Sequence, residues 1–329
     1  TATALRIYGP EVSTTINKLS FQDHRGIFVE DLSSKFSYTQ KHIKLENLDL
    51  ITKESKVKGS IVMNYEIEDF EDFTDKVEFD VKLEKASIAS NDIRFFYDEL
   101  GKNQFFKIKG RIKGPLNNLV LSNFKLNDSK NSQINGTLNF KNLFPSKGKE
   151  FFMNARFNRL STNYDDLVTI LPNVLGKTLP VILKKLGTIN FVGDAQVTTT
   201  SLDASFAMSS QIGNVKSDLI LKNMDLTDKA SYVGNVVLDN FDIGAFVDRK
   251  DIGKTSLNLD VNGKGFSEKS LNTSLKGIVN SITFNNYTYS NIELNGNFVS
   301  GLYKGQLKAN DPNVKMYSDG LVELCKTST

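Results

Sequence analysis

The sequence predicts an all-β protein built from repeated antiparallel strands, and three observations carry that reading. Apolar and polar residues alternate with period two along most of the chain. Clusters of turn-forming residues recur about every 8–12 residues. A short phrase with glycine on the apolar side of the alternation returns more than once. Spacing of that order over 329 residues gives roughly 18–22 strands.

The alternation is read directly from the residues. Val77, Phe79, Val81 and Leu83 alternate with Lys76, Glu78, Asp80, Lys82 and Glu84. Phe106, Ile108 and Ile112 alternate with Lys107, Lys109, Arg111 and Lys113, with Gly110 and Gly114 on the apolar side. Ile134, Gly136, Leu138 and Phe140 form a third set. Leu202, Ala204, Phe206 and Met208 form a fourth, Leu257, Leu259 and Val261 a fifth, and Ile292, Leu294, Gly296 and Phe298 a sixth. Such strands have one apolar face and one wet face. The turns between them are Asn117-Asn118, Asn127-Asp128-Ser129, Asn285-Asn286 and Asn310-Asp311-Pro312-Asn313. The recurring phrase reads Leu50…Ser55-Lys-Val57-Lys-Gly59-Ser-Ile61, then Leu126…Ser132-Gln-Ile134-Asn-Gly136-Thr-Leu138. A third copy, Leu226…Ser231-Tyr-Val233-Gly234-Asn-Val236, has its glycine one place early. A stack of such units grows along one axis and needs no central core.

One segment breaks the pattern. In 161–187, Ser161 or Thr162 is placed to cap a helix bearing Leu167, Val168, Ile170 and Leu171, stopped by Pro172. Thr178 is placed to cap a second helix bearing Val181, Ile182, Leu183 and Leu186, with Lys184, Lys185 and Gly187 at its end. A strand follows over Thr188–Val192. The chain therefore divides into a strand-rich segment 1–160, a helical insertion 161–187 and a second strand-rich segment 188–329. The insertion fits either a plain helical cap over the sheet or a membrane-facing or groove-plugging element.

Composition narrows the function classes. The net charge is +3 with 24% charged residues and no run of five like charges, which argues against nucleic acid as a partner. Hydrophobic residues make up 39%, below the roughly 45–50% usual for soluble domains, so they must be concentrated on one face of each element. The one cysteine, Cys325, cannot form an internal disulfide. No apolar stretch reaches the ~18 residues of a membrane span, and the N-terminus has no signal-peptide pattern. The abrupt ends lead us to expect a piece of a longer chain.

No catalytic or metal-binding constellation emerges. His24 and His42 stand apart from each other and from any cysteine, without HExxH spacing, so no metal or other cofactor is expected. Gly-Lys-Thr at 176–178 and 253–255 lacks the glycine a phosphate-binding loop needs five places earlier; Leu171 and Asp248 stand there. Gly263-Lys-Gly265 reads as a turn after a strand. Asp165-Asp166 suits a helix N-terminus. Phe95-Phe96-Tyr97 and Phe105-Phe106 read as core or groove lining. We therefore expect no enzyme.

Three passages resemble the TamB/AsmA-like family of the Gram-negative envelope. They are Leu179-Pro180 through Leu186-Gly187 into Phe191-Val-Gly193; Val236 to Gly244 with Leu257 to Gly265; and Leu302-Tyr-Lys-Gly305-Gln-Leu307 into Asp311-Pro312-Asn313, followed by Gly320 to Leu324. The likeness is one of texture and short phrases over most of the chain, and the wealth of Asn, Lys and Phe is similar to the Bacteroidetes branch. The resemblance implies an elongated, curled antiparallel groove (a β-taco) with an apolar trough. It implies a periplasmic location, with an inner-membrane anchor elsewhere in the full chain. It also implies phospholipid as cargo and outer-membrane assembly proteins of the BamA/TamA type as partners. No family catalytic residues exist to carry over. On this reading the trough is lined by Val77, Phe79, Val81, Leu83, Phe106, Ile108, Ile112, Ile134, Leu138, Phe140, Leu202, Phe206, Leu257, Leu259 and Val261. Alternation alone fits equally a closed β-sandwich acting as a scaffold or adhesin through protein contacts.

Overall fold

The computed structural model describes residues 1–24, 26–144, 148–172, 176, 179–267 and 269–323. It is all-β, and the chain forms two compact units, Thr1–Leu179 and Pro180–Thr329. The division falls inside the predicted helical insertion.

The first unit contains ten strands: β1 (Ala2–Tyr8), β2 (Glu11–Gln22), β3 (Phe28–Tyr38), β4 (His42–Thr52), β5 (Lys56–Asn64), β6 (Glu78–Ala89), β7 (Phe105–Gly114), β8 (Asn118–Asp128), β9 (Gln133–Lys141) and β10 (Phe152–Thr162). The second contains nine: β11 (Ile189–Thr198), β12 (Ser201–Ser210), β13 (Gly213–Lys222), β14 (Ser231–Asp242), β15 (Ile252–Lys264), β16 (Asn272–Phe284), β17 (Tyr287–Val299), β18 (Leu302–Asn310) and β19 (Lys315–Glu323). The nineteen strands among the described residues fall within the predicted range. Inside each unit every strand pairs antiparallel with its sequence neighbours, and the sheet is not closed into a barrel.

The predicted turns all connect neighbouring strands. Asn285 and Asn286 both take positive φ, 48° and 66°, the geometry of a two-residue hairpin loop matched to strand twist. Gly265, at φ +74°, ends β15 as a turn, and Gly253-Lys254-Thr255 lies within that strand.

Short helices punctuate the first unit: a 3-10 helix Ile67–Asp72 with Phe73–Lys76, then Ser90–Ile93, then Tyr164–Ile170. The last is the first predicted helix of the insertion, but its cap is Asn163. The Asn163 side chain accepts from the Asp166 backbone N–H, while Ser161 and Thr162 remain in β10. Asp165 and Asp166 occupy its first turn, as expected. In the second unit Val181–Leu186 forms a 3-10 helix rather than an α-helix, and the proposed cap Thr178 lies outside the described residues, as does Cys325. The expected strand over Thr188–Val192 is β11, which begins at Ile189 and runs on to Thr198. A further short helix, Ile243–Val247, follows β14 and is capped by the Asp242 side chain. Among the described residues short helices thus follow β5, β6, β10 and β14.

Candidate functional site, an apolar sheet face

Strand register gathers the apolar positions into rows that run across the strands. In the first unit one row is Leu45, Ile61, Val81, Ile112, Leu121, Leu138 and Ala155, one residue from each strand from β4 to β10. A parallel row is Leu50, Val57, Ala86, Ile108, Leu126, Ile134 and Leu160. In the second unit Phe191, Met208, Val215, Leu238, Leu257, Val279, Ile292 and Ala309 form one row from β11 to β18. Phe206 and Leu259 belong to the next row, and Leu202 and Val261 to others on the same face.

Between the two rows of the first unit glycine alternates with a bulky residue from strand to strand. Leu48 pairs with Gly59, Gly59 with Leu83, and Leu83 with Gly110; then Phe124 pairs with Gly136, and Gly136 with Phe157. A Cβ on Gly59 would lie 1.8 Å from the Lys82 carbonyl oxygen, and one on Gly136 would lie 2.1 Å from that of Arg156. Neighbouring backbones approach here more closely than any side chain permits. Register shifts cluster on the same line, at Leu45/Leu48, Lys58/Gly59, Leu83/Ala86, Lys109/Arg111, Leu121/Phe124 and Phe157/Arg159. Bulges bend strands and increase twist, so the sheet of the first unit creases along this line. In the second unit β11 to β14 pair without register shifts, yet Gly193 and Gly234 sit as close to neighbouring backbone as Gly59 and Gly136 do.

The sequence reading missed the signal for these bulges. Leu45-Glu46-Asn47-Leu48, Leu121-Ser122-Asn123-Phe124 and Leu238-Asp239-Asn240-Phe241 share one phrase. Its asparagine takes φ of 52°, 49° and 50° inside a register shift. Asparagine tolerates the left-handed region better than other side chains with a Cβ, which fits it to a bulge. The phrase repeats in the sequence, but its meaning as a bulge comes from pairing with the neighbouring strand.

All fifteen predicted lining residues lie on apolar positions, and none is fully exposed. Val77, Leu83, Phe106, Leu138 and Leu259 are buried, while the other ten are only half-buried. Val77 is completely buried but precedes β6, its N–H bonded to the Phe73 carbonyl, so it anchors the short helix rather than lining a strand. Ile108, Ile134, Leu138 and Phe140 come together with Phe124, Ala155 and Phe157 in one cluster. Val29, Leu32 and Leu48 centre another. Of the aromatic runs, Phe106 is buried, while Phe95, Phe96 and Phe105 are exposed.

At one end of the first unit the apolar face opens into a hollow of about 370 Å³. Phe21, Val29, Leu50, Val57, Ile88 and Phe96 line it, and Phe21 and Phe96 are exposed at 42% and 57%. Its polar end is closed by Asp92, which accepts from the hydroxyls of Thr52 (2.6 Å) and Ser55. The equivalent hairpin of β8–β9 repeats the device: the buried Ser132 hydroxyl donates to Asp166 at 3.1 Å, and the Asn163 amide donates to it at 2.8 Å.

His24 is exposed in a turn, and His42 opens β4 with Nδ1 3.1 Å from the Thr39 hydroxyl. Among the described residues no group of three His, Cys, Asp or Glu could hold a metal ion, and no helix is long and apolar enough to cross a membrane. No family model, no curated protein and no solved structure matches this chain.

Proposed function

We propose that this protein is a non-enzymatic component of a Gram-negative envelope whose apolar sheet face carries or shields phospholipid acyl chains between the inner and outer membranes, in support of outer-membrane assembly. The observation that carries this reading is the half-burial of ten of the fifteen apolar lining residues. Two sheets packed face to face would bury such residues completely. A face left partly open marks a surface that meets something apolar. Each CH₂ group kept from water is worth about 0.8 kcal/mol, so a continuous strip lowers the cost of moving an acyl chain without tight binding at any point. The hollow beside Phe21 and Phe96 lies within the size range of small-ligand sites, about 300–1,000 Å³. The resemblance to the TamB/AsmA-like family supports the location and the assembly role.

The test is native mass spectrometry with lipid extraction on the purified chain and on a variant carrying Ile112→Glu and Leu257→Glu. These are half-buried positions, one in each unit, so the fold should tolerate them better than changes at buried Leu138. The expected result is co-purifying phospholipid that is lost in the variant, with unchanged far-ultraviolet circular dichroism. A lipid-free, monomeric wild type would favour a scaffold acting through protein contacts instead.

A further inference from the structure

The face opposite the apolar rows carries an unbalanced basic hollow. Lys107 and Lys109 flank Ile108 on β7, so they point away from the apolar face. Register aligns Lys58 with Lys85 and Lys109 with Lys125, and the β6–β7 bulge sets Lys85 and Glu84 beside Lys109. Four lysines therefore stand in one row across β5 to β8, on strands about 4.8 Å apart. With Lys56 and Lys107 they line a hollow of about 500 Å³ whose one acidic side chain is Glu84. Six lysines against one glutamate exceed the net charge of the whole chain, +3.

Neighbouring carboxylates leave most of this charge uncompensated. Asp49 takes Lys58 at 2.6 Å, and Glu84 takes Lys82, outside the hollow, at 2.7 Å. Among the described residues no ion pair involves Lys56, Lys85, Lys107, Lys109 or Lys125. Like charges directly opposite across a strand pair destabilise a sheet, so this row works against folding unless an anion joins it. A concave surface lined by one sign of charge concentrates counter-ions, and lysine ammonium groups bind phosphate as point charges.

We infer that this hollow binds a soluble small molecule carrying two or more phosphate groups. A single phosphate would meet only part of a row spread over four strands, and the concavity suits a compact solute rather than a flat bilayer. The inference does not rest on the acyl-chain reading, because the lysines that carry it point away from the apolar rows, although Ala86 and Ile108 border the hollow.

The test is isothermal titration calorimetry of the full chain with pyrophosphate and with tripolyphosphate at low and high salt. Binding at one site per chain, weakened by salt, is expected. Lys85→Gln with Lys109→Gln should reduce affinity about tenfold or more. Without ligand the same variant should melt at an equal or higher temperature than wild type, because it removes repulsion. Lys125→Gln provides a second variant should the double change disturb the fold. Lys276→Gln with Lys304→Gln, exposed lysines of the second unit, should bind as wild type does. Absence of binding, equal loss in that control, or affinity unchanged by the Lys85 and Lys109 substitutions would overturn the inference. Binding to phosphatidylglycerol vesicles without binding to either soluble phosphate would also overturn it and assign the face to membrane contact.

Discussion

Gly59 and Gly320 are both strand glycines of this chain, yet they face different surroundings. A Cβ on Gly59 meets the Lys82 carbonyl at 1.8 Å, whereas one on Gly320 meets nothing within 4 Å. Gly59→Ala should therefore cost about 3 kcal/mol, at the upper end of overpacking penalties, and Gly320→Ala close to nothing, both read from urea unfolding midpoints. Equal midpoints for the two variants would remove the crease from the account. Asp311 supplies a second test at this scale. It is buried and accepts from the Tyr287 hydroxyl (2.6 Å), the Asn313 N–H (2.9 Å) and both the N–H and hydroxyl of Ser290 (2.9 Å each). These donors, Tyr287 foremost, hold its pKa down to about 2, below the ordinary value of about 3.9. A depressed carboxylate contributes stability that is complete above its unfolded pKa and is lost as pH falls through the folded one. Asp311→Asn should thus lower the melting temperature at pH 7, and the gap to wild type should close as pH falls from about 4 to 2. A gap that stays constant over that range would show the carboxylate charge to be irrelevant.

Strands were legible because alternation is a local property. β6, β7, β9, β12, β15 and β17 follow from their own residues, and each has one apolar and one wet face as read. The bulges were not legible in the same way, since a bulge is defined by the partner strand. Asn123 declares itself only when Leu121 is seen to pair with Leu138 and Phe124 with Gly136. The cap at Asn163 was misread for a related reason. Ser161 and Thr162 are good caps by residue type, but pairing in β10 claims both, and the Thr162 hydroxyl meets that of Ser132 at 2.9 Å. In two of the three copies the recurring phrase has a structural role, because Ser55 and Ser132 each reach the aspartate of a helix two strands later. Ser55→Ala and Ser132→Ala should each cost about 1–3 kcal/mol by leaving a carboxylate, half-buried in Asp92 and buried in Asp166, short of a donor. Guanidinium unfolding would check this, and a cost confined to one of the two would break the equivalence of the repeats.

The class of the whole molecule was legible, since all-β with repeated antiparallel strands follows from alternation and turn spacing alone. How far the apolar face is covered was not. Burial of Leu138 beside half-burial of Ile112, two strands away in the same row, depends on packing from Phe124, Ala155 and the other members of that cluster. Neighbour-only pairing has a further consequence for how such a chain changes length. β4 and β8 carry the same series, Leu45, Asn47, Leu48 and Leu50 against Leu121, Asn123, Phe124 and Leu126. Removing β5 to β8 would bring β9 beside β4, an edge of matching direction, register and bulge. Every remaining contact would be of a kind already present, and the sheet would shorten by about 19 Å. Reach in a protein of this design is a counted quantity, adjustable in blocks of four strands by duplication or deletion, with no new topology to be invented.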